Sequence, residues 1–207
     1  MNKIGRLCVI TDTVIQKKYS HEEIAKMAIK GGADIIQFRD KTMPTSELAE
    51  TALRIAKLCK KQGILFIVND RADIALVSNA DGVHLGKEDI SVKDARKLLG
   101  KNKIVGGTAH SLSDAIKAEK AGVDYIGYGH IYHTFSKLKK TKPKGIKELQ
   151  YVCKKIKIPV IAIGGISVLN ASEVMNAKAH GIAVIGSVLQ NSDPVKAVAK
   201  LRKIVYG

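Results

Sequence analysis

Side chains that can bind phosphate or a metal ion recur where short apolar runs of the sequence end. Gln37, Arg39 and Lys41 follow one such run. Asp70 follows the next run, and Asp89 follows the one after that. Arginine neutralises a diphosphate through a planar fork of donors, and lysine does so as a point charge. Carboxylates are the hard oxygen ligands that Mg²⁺ takes when water and phosphate supply its other ligands. These residue types predict a site for Mg²⁺ and a diphosphate.

An ion pair without any ligand is the alternative for Arg39 and Asp70, since an arginine and a carboxylate on neighbouring strands can neutralise each other. Asn69 and Thr108 add further polar side chains at the ends of apolar runs. Because several such residues end successive runs, the pattern favours a ligand site over an isolated ion pair.

The elements that must position these residues alternate along the whole chain as short β-rich runs and amphipathic helical stretches. The predicted strands cover residues 7–12, 34–40, 65–70, 82–85, 104–110, 125–129, 160–164 and 182–187. The clearest predicted helices cover residues 21–30, 45–62, 112–121 and 194–205, with a short one around 72–78. Thr45 and Ser111 are the N-cap candidates.

Eight strand–helix units, with strands apolar enough to be covered on both faces, predict a closed parallel (β/α)8 barrel, or TIM barrel. No linker rich in Pro, Gly or Ser divides the 207 residues, so residues 1–207 are predicted to form one domain. In such a barrel the functional residues gather at the C-terminal ends of the strands. The candidate residues are therefore expected to meet at one mouth of the barrel.

Two glycine-containing runs end the last two predicted strands, Gly164-Gly165 and Gly186-Ser187. Glycine lets backbone N–H groups approach an oxyanion closely, and a phosphate held after strands seven and eight is common in barrels. Glycine can also end a strand for steric reasons alone. Residues 131–145 have no helical or strand period and many lysines, which predicts a mobile loop over the active site.

Composition excludes several other classes of protein. The net charge is +16, but the lysines are dispersed and aromatic residues make up only 4%, so no nucleic-acid partner is predicted. The 3 cysteines are far apart and form no CxxC pair, which argues against disulfides and zinc. The apolar runs are too short to span a membrane, and the start leaves no room for a secretory signal. A cytoplasmic enzyme that acts on small-molecule substrates is expected, and a homo-oligomer is compatible with the sequence.

Five motifs together resemble the thiamine-phosphate synthase family, including its thiazole tautomerase relatives, over nearly the whole chain. They are Gln-Phe-Arg-Asp-Lys at 37–41, Asn-Asp-Arg-Ala-Asp-Ile-Ala at 69–75, Ala-Asp-Gly-Val-His-Leu-Gly-Lys-Glu-Asp at 80–89, Tyr-Ile-Gly-Tyr-Gly at 125–129 and Pro-Val-Ile-Ala-Ile-Gly-Gly-Ile at 159–166. The resemblance implies that an aminopyrimidine methyl diphosphate is joined to a thiazole ethyl phosphate, giving thiamine phosphate and diphosphate.

The resemblance also implies a role for individual residues. The pyrimidine diphosphate would be held by Gln37, Arg39, Lys41, Asn69, Thr108 and Lys137. The thiazole phosphate would be held by Thr134, Ser136, Gly165, Ile185 and Gly186, with Ser187 as a further donor. Mg²⁺ would be bound by Asp70 and Asp89. Because the electron-rich pyrimidine can support a carbocation, the expected mechanism is dissociative, and it needs charge stabilisation from Arg39, Lys41 and Lys137 rather than a protein nucleophile.

Four positions depart from the synthase pattern. His130 and His133 stand where the synthases carry proline, and His130 resembles the tautomerase branch, in which that side chain moves a proton on the thiazole. Thr108 stands where serine is usual, and Gly186 replaces another serine. A tautomerase that uses His130 as its general acid or base is therefore one alternative. A non-catalytic regulator that binds a thiamine precursor is another. The retained diphosphate and metal residues favour the synthase.

Overall fold

A computed structural model describes residues 4–134 and 142–207, and its strands form one closed parallel barrel. The strands are β1 (Leu7–Thr11), β2 (Ile35–Phe38), β3 (Leu65–Asn69), β4 (Gly82–Leu85), β5 (Ile104–Ala109), β6 (Tyr125–Gly129), β7 (Val160–Ile163) and β8 (Gly181–Val184). Each strand pairs with the next, and β8 pairs with β1. The predicted (β/α)8 barrel is confirmed.

Helices follow the strands along the chain. They are α1 (His21–Lys30), α2 (Thr45–Gln62), α3 (Ala72–Val77), α4 (Val92–Leu99), α5 (Leu112–Ala121), α6 (Gly145–Lys155), α7 (Ala171–Asn176), α8 (Gly186–Leu189) and α9 (Pro194–Tyr206). Ser111 caps α5 as predicted, because its side chain accepts a hydrogen bond from the backbone N–H of Asp114. Among these elements, no helix is both long and apolar enough to cross a membrane.

Local predictions were wrong in several places. The predicted strand 34–40 covers only Ile35–Phe38, so Arg39 lies beyond the strand. Thr45 is not the cap of α2, because the extended Pro44 occupies that position and Thr45 is already the first helical residue. The last strand does not reach residue 187, since it ends at Val184 and the chain turns at Ile185 into the short helix α8. Apolar residues stand on both sides of Gly186-Ser187, so the pattern alone could not separate strand from helix.

The apolar core has two parts. A large cluster fills the space between the sheet and the helices, and a smaller one fills the inside of the barrel. Cys8, Ile35, Ile67 and Tyr125 belong to the inner cluster. Burial raises the pKa of the Cys8 thiol to about 12, so this cysteine acts as a packing residue.

The N-terminal end of the barrel is closed by a repeated contact. Asp34, Asp81 and Asp124 each precede an even-numbered strand and accept a backbone N–H from the start of the preceding strand. The N–H donors are Leu7 at 2.8 Å, Phe66 at 2.8 Å and Val105 at 2.7 Å, respectively. At the fourth equivalent position, before β8, His180 Nε2 lies 2.9 Å from the carbonyl oxygen of Ile4. These contacts join neighbouring strands at the N-terminal end of the barrel, whereas the pocket described below lies at the opposite end.

Candidate active site

A pocket of about 550 Å³ opens at the C-terminal ends of the strands. Every predicted site residue that the structure describes lines it. These residues are Gln37, Arg39, Lys41, Asn69, Asp70, Asp89, Thr108, His130, Thr134, Gly165, Ile185, Gly186 and Ser187. Ser136 and Lys137 lie outside the described residues. The structure thus brings the predicted residues to one place, while their individual roles stay predictions.

Two carboxylates face each other on the β3 and β4 side of the pocket. Asp70 follows β3 in a left-handed backbone conformation with φ of 65°, and its N–H donates to the His84 carbonyl at 2.8 Å. Asp89 Oδ2 accepts the N–H of Gly86 at 2.6 Å. Burial, and then the nearby charge of Asp70, raise the pKa of Asp89. Like charges this close are costly, so the pair favours binding of a cation.

Two cationic side chains line the same pocket, and each is held by a carboxylate. Lys41 Nζ lies 2.8 Å from Asp70 Oδ2. Arg39 lies just past the end of β2 and forms an ion pair with Asp12, which is buried at the end of β1. Asp12 was not among the predicted residues, although it ends an apolar run just as Asp70 does. Its position at the end of an apolar run was the sequence signal that could have identified Asp12 as a site residue.

The floor of the pocket is a buried polar cluster on β4, β5 and β6. His84 Nδ1 lies 3.0 Å from the Tyr125 hydroxyl, and His84 Nε2 lies 2.9 Å from Thr108 Oγ1. Burial raises the pKa of Tyr125 well above its ordinary value, which keeps the hydroxyl protonated. Glycine at 106 makes room for this cluster, because a Cβ there would lie 2.3 Å from the Tyr125 ring. The sequence pattern did not assign His84 or Tyr125 to the site.

The glycine-rich turns on the β7 and β8 side have a steric explanation as well as a ligand-binding one. Gly165 has φ of 67°, and a Cβ there would lie 2.3 Å from the carbonyl oxygen of His133. Glycine is thus required for packing against the chain that follows β6. Ser187 gives a different signal, because its Oγ is buried and has no hydrogen-bond partner among the described residues.

His130 is 4% exposed and lines the pocket at the start of the loop predicted over 131–145. The described parts of that loop, 131–134 and 142–144, contain no helix or strand, and α6 begins at Gly145. The loop assignment is therefore confirmed for these parts. Its predicted movement over the site stays a prediction.

Comparison with known proteins identifies the family. Residues 7–188 match the family model described as thiamine monophosphate synthase. The thiamine-phosphate synthase of Chlorobium phaeobacteroides is 46% identical over 201 residues, which are 97% of this chain and 96% of that protein. The thiamine-phosphate synthase of Methanocella arvoryzae is 42% identical over 199 residues, covering 96% of this chain and 94% of that protein.

Solved structures agree with this assignment. The thiamine phosphate pyrophosphorylase from Pyrococcus furiosus superposes with a TM-score of 0.89 at 40% identity, covering 97% of this chain and 95% of that one. A 3-hexulose-6-phosphate synthase at 20% identity and a TM-score of 0.69 shares only the fold. These comparisons favour neither the tautomerase nor the non-catalytic regulator. The chain belongs to the thiamine-phosphate synthase family and is a transferase.

Proposed function

We propose that this enzyme joins two substrates by a bond between the pyrimidine methylene and the thiazole nitrogen. One substrate is the diphosphate ester of an amino-hydroxymethylpyrimidine. The other is hydroxyethylthiazole phosphate or the carboxylate form of that thiazole. The products are thiamine phosphate and diphosphate, and the carboxylate form of the thiazole also releases carbon dioxide. Family membership supports the overall reaction, and the chemistry of the pocket supports this choice of substrates. Both substrates are small phosphorylated molecules.

One observation carries the proposal. Arg39 Nε and Ser187 Oγ are both buried and have no hydrogen-bond partner among residues 4–134 and 142–207, and both residues line the pocket. A buried polar group without a partner costs about 1–3 kcal/mol. Arg39 follows β2 and Ser187 follows β8, so the two donors belong to different parts of the mouth. Two separate anionic groups, one on each substrate, would satisfy both donors.

The carboxylate pair fits Mg²⁺. Asp70 and Asp89 offer hard oxygen ligands, and a divalent cation would relieve the repulsion that raises the pKa of Asp89. Within the described ranges, no group of three or more His, Cys, Asp or Glu side chains could hold a metal ion. Water and phosphate oxygens would therefore complete its coordination. When bound, Mg²⁺ would neutralise part of the charge on the diphosphate.

With hydroxyethylthiazole phosphate, the proposed reaction breaks one bond and forms one. With the carboxylate form, the bond from the ring to the carboxylate also breaks, and carbon dioxide leaves its electron pair on the thiazole. The bond between the pyrimidine methylene and the diphosphate oxygen breaks, and the diphosphate leaves with the electron pair. The thiazole nitrogen then forms a bond to the methylene carbon with its own lone pair. Arg39 and Lys41 stabilise the charge that develops on the leaving group. Lys137, outside the described residues, has the same proposed role. No step requires a protein nucleophile.

The remaining pocket residues position the two rings. Gln37 and Thr108 stand with His84 and Tyr125 on the polar floor, where they can orient the pyrimidine. The thiazole phosphate is assigned to the β7 and β8 side, and Asn69 to the diphosphate side. The proposed thiazole ligands that the structure describes are Thr134, Gly165, Ile185, Gly186 and Ser187.

Incubation of the protein with Mg²⁺ and both phosphorylated precursors tests the proposal. We expect thiamine phosphate and diphosphate in equal amounts, and loss of product when EDTA removes the metal. Full activity in EDTA would contradict the metal assignment. No product from both precursors would overturn the function. Interconversion of thiazole carboxylate isomers that His130→Ala abolishes would instead identify a tautomerase.

A further inference from the structure

Asp12 is a buried carboxylate that the proposed chemistry does not use. Its side chain is 2% exposed, and its Oδ1 accepts the backbone N–H groups of Val14 at 3.0 Å and Ile15 at 3.2 Å. Its Oδ2 accepts a hydrogen bond from Arg39 Nη1. The turn after β1 therefore fixes the direction of the carboxylate, and the carboxylate in turn holds the guanidinium.

The backbone around Arg39 is fastened from the same side. The N–H of Arg39 donates to Thr11 Oγ1 at 3.5 Å, and that hydroxyl lies 2.7 Å from His21 Nδ1. His21 Nε2 lies 3.0 Å from Asp40 Oδ2. Residues 39 and 40 lie beyond the last residue of β2, so strand pairing does not fix them. The end of β1 and the start of α1 fix them instead.

We infer that Asp12 is a positioning residue that presents Arg39 to the diphosphate of the pyrimidine substrate. The inference rests on the proposed function, because it requires Arg39 to bind that diphosphate. Asp12 occupies Nη1, while Nε is buried and has no partner among the described residues, so the guanidinium keeps a donor for an anion. A long side chain that is ordered before binding does not lose its rotamer entropy during binding, which strengthens affinity.

Asp34 offers a matched control at the other end of the barrel. Its carboxylate also accepts two backbone N–H groups, from Arg6 at 3.1 Å and Leu7 at 2.8 Å, and it also holds an arginine, Arg202, at 3.0 Å. Both aspartates thus hold two backbone N–H groups and an arginine. Asp34 also accepts the Tyr206 hydroxyl at 2.7 Å, but only Asp12 contacts an arginine of the pocket. A general effect of losing such a carboxylate would appear in both variants.

Calorimetric titration with inorganic diphosphate and Mg²⁺ tests the inference on the wild type, Asp12→Asn and Asp34→Asn. We expect Asp12→Asn to weaken diphosphate binding about tenfold, and to raise KM for the pyrimidine diphosphate similarly, because Arg39 must then be ordered on binding. KM for the thiazole phosphate should stay unchanged. Asp34→Asn should lower the melting temperature and leave both values within about twofold.

The outcomes separate this inference from the proposed function. Wild-type affinity in Asp12→Asn, with tight binding by the wild type, would overturn the role of Asp12 and leave the function standing. No binding of Mg²⁺-diphosphate by the wild type would overturn both. Asp12→Ser keeps an acceptor for the turn but cannot reach Arg39, so it repeats the test if Asp12→Asn folds poorly. Loss of affinity in Asp12→Ser would support the inference, and wild-type affinity would overturn it.

Discussion

The two ends of the barrel use carboxylates in opposite ways. At the N-terminal end, Asp34, Asp81 and Asp124 accept backbone N–H groups at 2.7–2.8 Å and so join neighbouring strands. At the C-terminal end, Asp70 and Asp89 face each other, and burial and repulsion raise the pKa of Asp89. The three aspartates of the N-terminal end are satisfied within the fold, whereas the Asp70 and Asp89 pair at the other end leaves a cost that a ligand can remove.

This difference explains how a short barrel combines stability with a polar pocket. Buried polar groups that are fully hydrogen-bonded rigidify a structure, while those left partly unsatisfied store the free energy that ligand binding releases. Arg39 Nε and Ser187 Oγ, both at the C-terminal mouth, belong to the second kind. Variants at the two ends should therefore separate effects on stability from effects on activity.

The largest expected effect comes from comparing Asp89→Ala with Asp81→Asn. Asp89→Ala removes a proposed Mg²⁺ ligand and should lower kcat/KM by about 100-fold or more, with little loss of melting temperature. Asp81→Asn weakens the contact with the N–H of Phe66, so it should lower the free energy of unfolding by about 1 kcal/mol and leave kcat/KM nearly unchanged. Steady-state kinetics and thermal denaturation measure both.

Equal losses of stability and activity in Asp89→Ala would contradict the assignment of structural carboxylates to the N-terminal end and ligand-binding carboxylates to the C-terminal end. Such a result would mean that the Asp70 and Asp89 pair, with Lys41, is an ion-pair cluster of the barrel rim. An unchanged dependence of activity on Mg²⁺ concentration in that variant would point the same way. Asp81→Asn is the control: its loss of stability in thermal denaturation shows that the measurement detects a purely structural change.

A smaller effect is expected from two serines whose hydroxyl oxygens are buried. Ser187→Ala removes a hydroxyl that has no partner among the described residues, so it should raise KM for the thiazole phosphate about fivefold without loss of stability. Ser78 Oγ donates to the Ile74 carbonyl at 2.7 Å, so Ser78→Ala should lower the free energy of unfolding by about 1 kcal/mol and leave KM unchanged. A loss of stability in Ser187→Ala, with KM unchanged, would remove Ser187 from the site.

Periodicity predicts the barrel and its mouth well, because each strand and its terminal polar residue are local features. The apolar run that ends at Gln37 and Arg39, for example, can be recognised as a strand without knowing which strands lie beside it. The partner of Arg39 is a different matter. Asp12 lies 27 residues earlier, and only the parallel pairing of β1 with β2 brings the end of β1 beside the end of β2. Sequence patterns contain no measure of such contacts.

The sequence patterns missed the polar floor of the pocket and the end of the last strand for related reasons. His84 and Tyr125 meet across β5, where glycine at 106 leaves the space, so their contact depends on strand register. At the end of β8, Ile185 and Gly186 continue an apolar run, and glycine allows either an extended or a helical turn. The structure has the short helix α8 here, in contact with α9, and a local pattern contains no such contact.

The smallest expected effect concerns Asp40, which lies at the active end but has the contacts of a structural residue. Burial raises the pKa of Asp40, but hydrogen bonds from His21 and from the backbone N–H groups of Thr42 and Met43 outweigh burial and hold the pKa well below its usual range. A carboxylate with a lowered pKa stabilises the fold fully above its unfolded pKa of about 3.9, and this contribution is lost as pH falls toward the folded pKa.

The difference in free energy of unfolding between the wild type and Asp40→Asn should therefore be constant from pH 7 to about pH 5, and should shrink as the pH falls below about 4. Urea denaturation at a series of pH values measures it. Asn keeps an acceptor for the Thr42 and Met43 N–H groups, so the part of the difference that depends on pH reports the charge. A difference that stays constant down to pH 3 would show that the charge of Asp40 does not stabilise the fold.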